Sequence, residues 1–126
     1  MKKLNTIQKR YNLNEVCRKD KPSADGACHT YMIQRRVCPA GEAEKVIPIA
    51  EIVFQHGPRN EEGSTTGVLD ADLLEIVRDR LKGFQTSEYA TMENDCAIRH
   101  IEEALMWMNK RVEDRAERGV LGTMQK

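Results

Sequence analysis

From Asn94 to Arg115, the residues Asn94, Ile98, Ile101, Leu105, Met108, Val112 and Arg115 step by four and three in strict alternation. That spacing keeps one stripe of a helix facing a partner helix, and a strand would scatter the same residues over both faces. An ordinary seam of this kind is apolar throughout. This one opens on an amide and closes on a guanidinium. Arg111, Arg115 and Arg118 also fall at i, i+4 and i+7, so three cations share a stripe. Like charges at that spacing cost about a few tenths of a kcal/mol per pair, so something negative is expected opposite them.

The elements before this helix follow from punctuation and period. Thr30 to Val37 alternates as a strand, with Tyr31, Ile33 and Val37 on one side. Cys38-Pro39-Ala40-Gly41-Glu42 is a turn, and Val46 to Gln55 is a second strand, with Pro48 near its start, where a missing donor costs least. The stretch from His56 to Gly67 is a polar loop of a length that tends to be functional or mobile. Asp70 is positioned to cap a helix running to about Phe84, with Leu73, Leu74, Val77, Leu81 and Phe84 on one face. Thr91 takes the capping place for the long helix, which runs to about Glu117, and Gly119 ends it. Residues 1–27 form a lysine-rich arm, with a short helix from about Asn5 to Cys17 as its expected structure. The fold class is α+β: an N-terminal antiparallel β-hairpin or small sheet followed by a C-terminal antiparallel helical hairpin, in one domain spanning 1–126 (arm 1–27, β part and loop 28–69, hairpin 70–126). Two strands and a long seam leave apolar surface uncovered, so a homo-oligomer is expected.

Composition narrows the function. Lys and Arg balance Asp and Glu at 20 each, which argues against a duplex-DNA binder. Cys17, Cys28, Cys38 and Cys96 make no CxxC pair and no ligand spacing with His29, His56 or His100, so free thiols, no metal and no cofactor are expected. No apolar run reaches the length of a membrane span and no signal peptide is visible, which places the chain in the cytoplasm as an expectation.

No catalytic constellation appears either. Glu102 and Glu103 are adjacent helix positions pointing about 100° apart, so they cannot share a substrate and read as a solvated face. The arginine stripe has a comparable plain account. Asp114 stands four residues before Arg118, with Glu113 and Glu117 nearby, and charge spacing alone slightly favours simple pairing. Two features turn the balance: Asn94 and Arg115 lie on the seam itself, and Trp107 precedes Arg111 by one turn. A flat apolar surface beside a cation suits a planar base carrying a phosphate. Phe84 serves equally well as a stacking face or a core aromatic. Arg59, in the Gly-Pro loop, serves equally well as a phosphate contact or an ordinary turn residue.

Several segments, in order, resemble the phage Thoeris anti-defence sponge proteins and, over the helical hairpin, the smaller anti-CBASS sponges. They are Ala27-Cys28-His29-Thr30-Tyr31, Phe54-Gln55-His56-Gly57-Pro58-Arg59, Leu73-Leu74 through Arg80-Leu81, Phe84-Gln85, and the block from Glu93 to Thr123 with its Glu-Glu-Ala-Leu-Met-Trp core. The resemblance covers roughly residues 25–123. It implies a protein without turnover that binds glycocyclic ADP-ribose, with cyclic di- or trinucleotides as a further ligand class, and holds it between the subunits of a dimer or hexamer. By motif position, the base-stacking aromatic falls on Phe84, the pocket amide on Asn94, and the phosphate-facing arginines on Arg111 and Arg115, with Arg118 beside them. The cyclic-trinucleotide arginine falls on Arg59. The chain departs from the pattern at Ser64-Thr65-Thr66-Gly67, which lacks an Asn-Gly pair, and at Ser87-Glu88-Tyr89, which replaces a Gly-x-Phe. The competing expectation is a small phage assembly or regulatory protein that uses the same seam only to oligomerise.

Overall fold

The structure, a computed structural model, describes residues 1–126, which divide into two compact units: Met1–His56 with Thr65–Gly67, and Gly57–Ser64 with Val68–Lys126.

The first unit is a four-stranded antiparallel meander: β1 (Lys2–Lys3), β2 (Glu15–Arg18), β3 (Thr30–Val37) and β4 (Lys45–Val53), in that spatial order. The helix expected from Asn5 to Cys17 does not form. Its C-terminal end, Glu15–Arg18, pairs instead with β3, Cys17 opposite Met32, which buries Cys17. Tertiary pairing here outweighs a weak helical pattern that had only four apolar residues to offer. An Arg36–Glu15 ion pair at 2.7 Å ties β3 to β2, and Lys19–Glu51 at 3.0 Å reaches from the end of β2 to β4.

The two principal strands lie where the alternation puts them. Pro48 is the fourth residue of β4 rather than near its start. It is tolerated because β4 is an edge strand and a register shift falls beside it: Ile33 pairs with Ala50, but Gln34 pairs with Pro48. Val46, Ile47 and Ile49 of this edge remain exposed. The interior of the unit is thin, with only Cys17, Cys28 and Gln34 fully buried and an edge-to-face Tyr31–Phe54 contact at 5.7 Å beside them. Gly67 packs where no side chain fits, since a Cβ there would run into the Val53 carbonyl and the Phe54 backbone.

The second unit is the helical hairpin, α1 (Asp70–Gln85) and α2 (Met92–Glu117). Asp70 is not the cap of α1. That place belongs to Leu69, whose N–H donates to the Asp72 carboxylate at 2.8 Å. Thr91 caps α2 as expected, its Oγ1 accepting from the Asn94 N–H at 3.0 Å, and Gly119 takes a positive φ just beyond the Arg118 C-cap.

Leu74, Arg78, Leu81 and Gln85 form the inner stripe of α1, all half-buried. Both polar members are satisfied across the hairpin. Arg78 Nε donates to Glu102 at 2.8 Å. Gln85 Nε2 donates to the Thr91 carbonyl and to Asp95, and its Oε1 accepts from the Thr91 N–H, which fixes the turn. On α2 the seam holds from Asn94 through Leu105, but Met108 and Val112 are exposed. They line an open groove with Ala71 and Glu75 of the first turns of α1, whose side chains leave them uncovered. No helix is long and apolar enough to cross a membrane, and all four cysteines are free thiols.

Candidate ligand-binding surfaces

The overhanging end of α2 carries the arginine stripe. Trp107, Lys110, Arg111, Asp114, Arg115 and Arg118 line an open groove of about 470 Å³. The Asp114–Arg118 pairing offered by the plain account of the stripe does not occur. Asp114 lies 3.0 Å from Lys110 instead, and neither Arg111 nor Arg118 reaches a carboxylate. Trp107 is 65% exposed one turn before Arg111, which leaves its indole available as a flat wall.

Arg115 is differently occupied. Its guanidinium donates to the carbonyls of Val120 at 3.1 Å and Thr123 at 3.0 Å, and to that of Gln125. The planar fork thereby folds residues 120–125 back over the helix end. Two of the three arginines thus remain free for an anion, and the third organises the backbone beside them.

Phe84 and Asn94 sit at the opposite end, where α1 hands over to α2. Phe84 is 39% exposed, with the Arg80 guanidinium 5.6 Å above its ring, so it is only partly committed to packing. Asn94 donates from Nδ2 to the Tyr89 carbonyl at 3.4 Å, while its Oδ1 accepts nothing from the chain. Asn94 and Arg111 are seventeen residues apart on one helix, or about 25 Å. One chain therefore does not bring Asn94, at the turn with Phe84, together with the stripe arginines. Arg59 lies in the loop of the second unit, in a turn where the Glu61 N–H donates to the Pro58 carbonyl at 3.0 Å. Glu102, expected to be solvated, is instead half-buried as the partner of Arg78, whereas Glu103 is exposed.

The sheet unit assembles a third group that spacing alone did not reveal. Asp25, His29 and His56 offer ligand atoms that all lie within 4.8 Å of one another. The two imidazoles stack at 3.8 Å between centroids and 8° between planes. Their sequence separation hides the contact, but the β3–β4 register carries it: the His29 carbonyl accepts from the Phe54 N–H at 2.8 Å, just beyond the Thr30–Val53 pair. Asp25 is held well below its ordinary value of 3.8, at about 2, first by the Ser23 hydroxyl and then by the Ala27 N–H.

Residues 47–113 match the family described as the Acb2/Tad1 hairpin domain, a stretch that includes β4 from Ile47 onward, α1, α2 as far as Glu113, and the positions Arg59, Phe84, Asn94 and Arg111. Over 78 residues the chain is 49% identical to a protein named Thoeris anti-defense 1 from Bacillus phage SBSphiJ7. The shared stretch makes up 62% of this chain and 54% of that protein, so the chain spans about half the length of the curated relative it matches.

Proposed function

Because the chain belongs to the Acb2/Tad1 hairpin-domain family, we propose that it counters bacterial Thoeris defence as a non-catalytic sponge, binding glycocyclic ADP-ribose and holding it intact. The relative's name supplies the defence system. The observation that carries the residue-level reading is the split site: an exposed aromatic and a free amide oxygen at the turn, and unpaired arginines beside Trp107 at the far end of α2. A small dianion gains from both only if two hairpins pack antiparallel, so that Phe84 and Asn94 of one subunit meet Arg111 and Arg118 of the other. The exposed apolar stripe of Met108 and Val112, one turn apart, suits such packing. Arg59, on a separate loop, is assigned to a second pocket for cyclic oligonucleotides.

Holding a signal without turnover demands tight binding. A nanomolar dissociation constant corresponds to about −12 kcal/mol, which stacking and charge-assisted bonds between subunits can supply. The test is to incubate the purified protein with glycocyclic ADP-ribose, remove free ligand, denature by heat and analyse what is released. Intact ligand is expected. Altered ligand would make the protein an enzyme, and none retained would favour an assembly role.

A further inference from the structure

The Asp25, His29 and His56 group is built in a way that a chance surface cluster is not. Each member is pinned by backbone hydrogen bonds. Asp25 lies in a turn closed by Ser23 N–H to Ala27 carbonyl and Gly26 N–H to Ser23 carbonyl, both 3.0 Å. The His29 N–H donates to the Asp20 carboxylate at 2.9 Å while its carbonyl is taken by Phe54. The His56 N–H and carbonyl both pair with Thr65, at 3.0 and 2.8 Å.

The Asp25 carboxylate is divided by function. Oδ1 is occupied by the Ser23 hydroxyl at 2.6 Å and the Ala27 N–H at 2.9 Å. Oδ2 is the oxygen nearer the imidazoles, 3.0 Å from His29 Nε2 and 3.7 Å from His56 Nε2, although His29 Nε2 also lies 3.3 Å from Oδ1 and 3.2 Å from the Ser23 hydroxyl. Ligand atoms at about 2.1 Å from one ion stand about 3.0 Å (octahedral) to 3.4 Å (tetrahedral) from each other. The two carboxylate–imidazole separations, 3.0 and 3.7 Å, bracket that range, and all three ligand atoms lie within 4.8 Å of one another. With the rings stacked, their in-plane lone pairs do not converge, so sharing one ion requires the imidazoles to turn out of the stack about their soft terminal torsions. A hydrogen-bonded Oδ1 behind a ligating Oδ2 is also the outer-shell support that metal carboxylates ordinarily have.

We propose that Asp25 Oδ2, His29 Nε2 and His56 Nε2 form a three-ligand site for a first-row divalent cation of the Zn²⁺ type. Two imidazoles and one carboxylate suit such an ion better than Mg²⁺ or Ca²⁺, which prefer oxygen alone. His29 is mostly covered, but the side chains of His56 and Asp25 are 46% and 48% exposed, so the remaining coordination positions open to solvent and can take water or an anionic oxygen.

The experiment titrates metal-stripped full-length protein with Zn²⁺ by calorimetry and with Co²⁺ by visible absorption. One ion per chain is expected, with d–d bands and no thiolate charge-transfer band. The Asp25→Asn and His56→Gln variants should bind at least about tenfold more weakly, and Zn²⁺ should raise the melting temperature of the natural protein but not theirs. If a variant is misfolded by circular dichroism, imidazole resonances of the natural protein decide: His29 and His56 should move on Zn²⁺ addition and His100 should not. No saturable binding, unchanged affinity in folded variants, a thiolate band from Cys38 or Cys96, or movement of His100 alone would each overturn the site.

Discussion

Arg78 of α1 and Glu102 of α2 clasp the hairpin through two donors on one acceptor, Nε and Nη2 each 2.8 Å from Glu102 Oε2. The pair stands where a continuous apolar seam would have a leucine, and it fixes which residues face each other. Its guanidinium is held further above its ordinary range by Glu102 first and Glu75 after it. Glu102→Gln should lower the melting temperature, and the loss should shrink in high salt because both groups are partly exposed. The charge-swapped double variant, Arg78→Glu with Glu102→Arg, should recover part of the loss. A double-mutant cycle showing no coupling would remove the pair from the account of the hairpin.

The stripe arginines separate by role. Arg111 has no carboxylate partner and sits near other cations, so Arg111→Gln should leave stability unchanged or slightly raised while weakening glycocyclic ADP-ribose by about 1.5–3 kcal/mol per lost charge-assisted bond. Arg115 instead holds three carbonyls of the C-terminal segment. Arg115→Gln should release residues 120–125 to fast amide exchange and early proteolysis even without ligand. Calorimetric titration and hydrogen exchange on both variants make the comparison. Equal exchange profiles would contradict the split.

How far the sequence announced these features depends on their range. The 4–3 spacing marks α2 and its seam, and alternation marks β3 and β4, because those signals are local. What escaped needed partners distant in sequence. Glu15–Arg18 is a strand only because β3 lies beside it, and Met108 and Val112 are exposed because the start of α1 brings only Ala71 and Glu75 to their groove. Charge spacing does not choose the partner of Asp114 either: Lys110 and Arg118 are both four residues away, and only the conformation of the helix end decides between them. Asp25 and His29 are four residues apart, but His56 follows 27 residues later, and no spacing rule joins it to them.

Acid should expose the sheet unit's dependence on Asp25. Its carboxyl titrates at about 2 in the fold against an ordinary 3.8, so it binds protons less readily when folded. That contribution is complete above about pH 4 and disappears as pH falls through about 2. Glu15 and Asp20 are also lowered, the first chiefly by Arg36 and the second by the His29 N–H, so they act in the same direction. Urea unfolding at about pH 5 and about pH 2.5 should show the natural protein losing more stability than Asp25→Asn. Parallel curves would mean that the Ser23 and Ala27 contacts do not persist in solution.

Phe84 tests the stacking assignment against simple packing. Emptying a fully buried phenylalanine costs about 3–5 kcal/mol, but this ring is 39% exposed under Arg80, so Phe84→Ala should cost about 1–2 kcal/mol and leave the fold intact. Loss of a stacked base should nevertheless reduce affinity about ten- to hundredfold. A variant that melts early and binds normally would return Phe84 to the core.

The 25 Å separation of Asn94 from Arg111 makes a prediction that no single-variant experiment can reach. If each pocket takes Phe84 from one subunit and Arg111 from another, a dimer has two equivalent pockets. In a mixed dimer of Phe84→Ala and Arg111→Gln chains, both defects fall in one pocket and the other is wholly natural. Each parent homodimer should bind weakly, yet the mixed dimer, isolated through two different affinity tags, should bind one glycocyclic ADP-ribose at natural affinity. If both residues served a pocket within one chain, every pocket of the mixed dimer would carry one defect and nothing would be recovered. Light scattering on the same samples supplies the mass, and a monomer at micromolar concentration would end the two-subunit reading before any titration began.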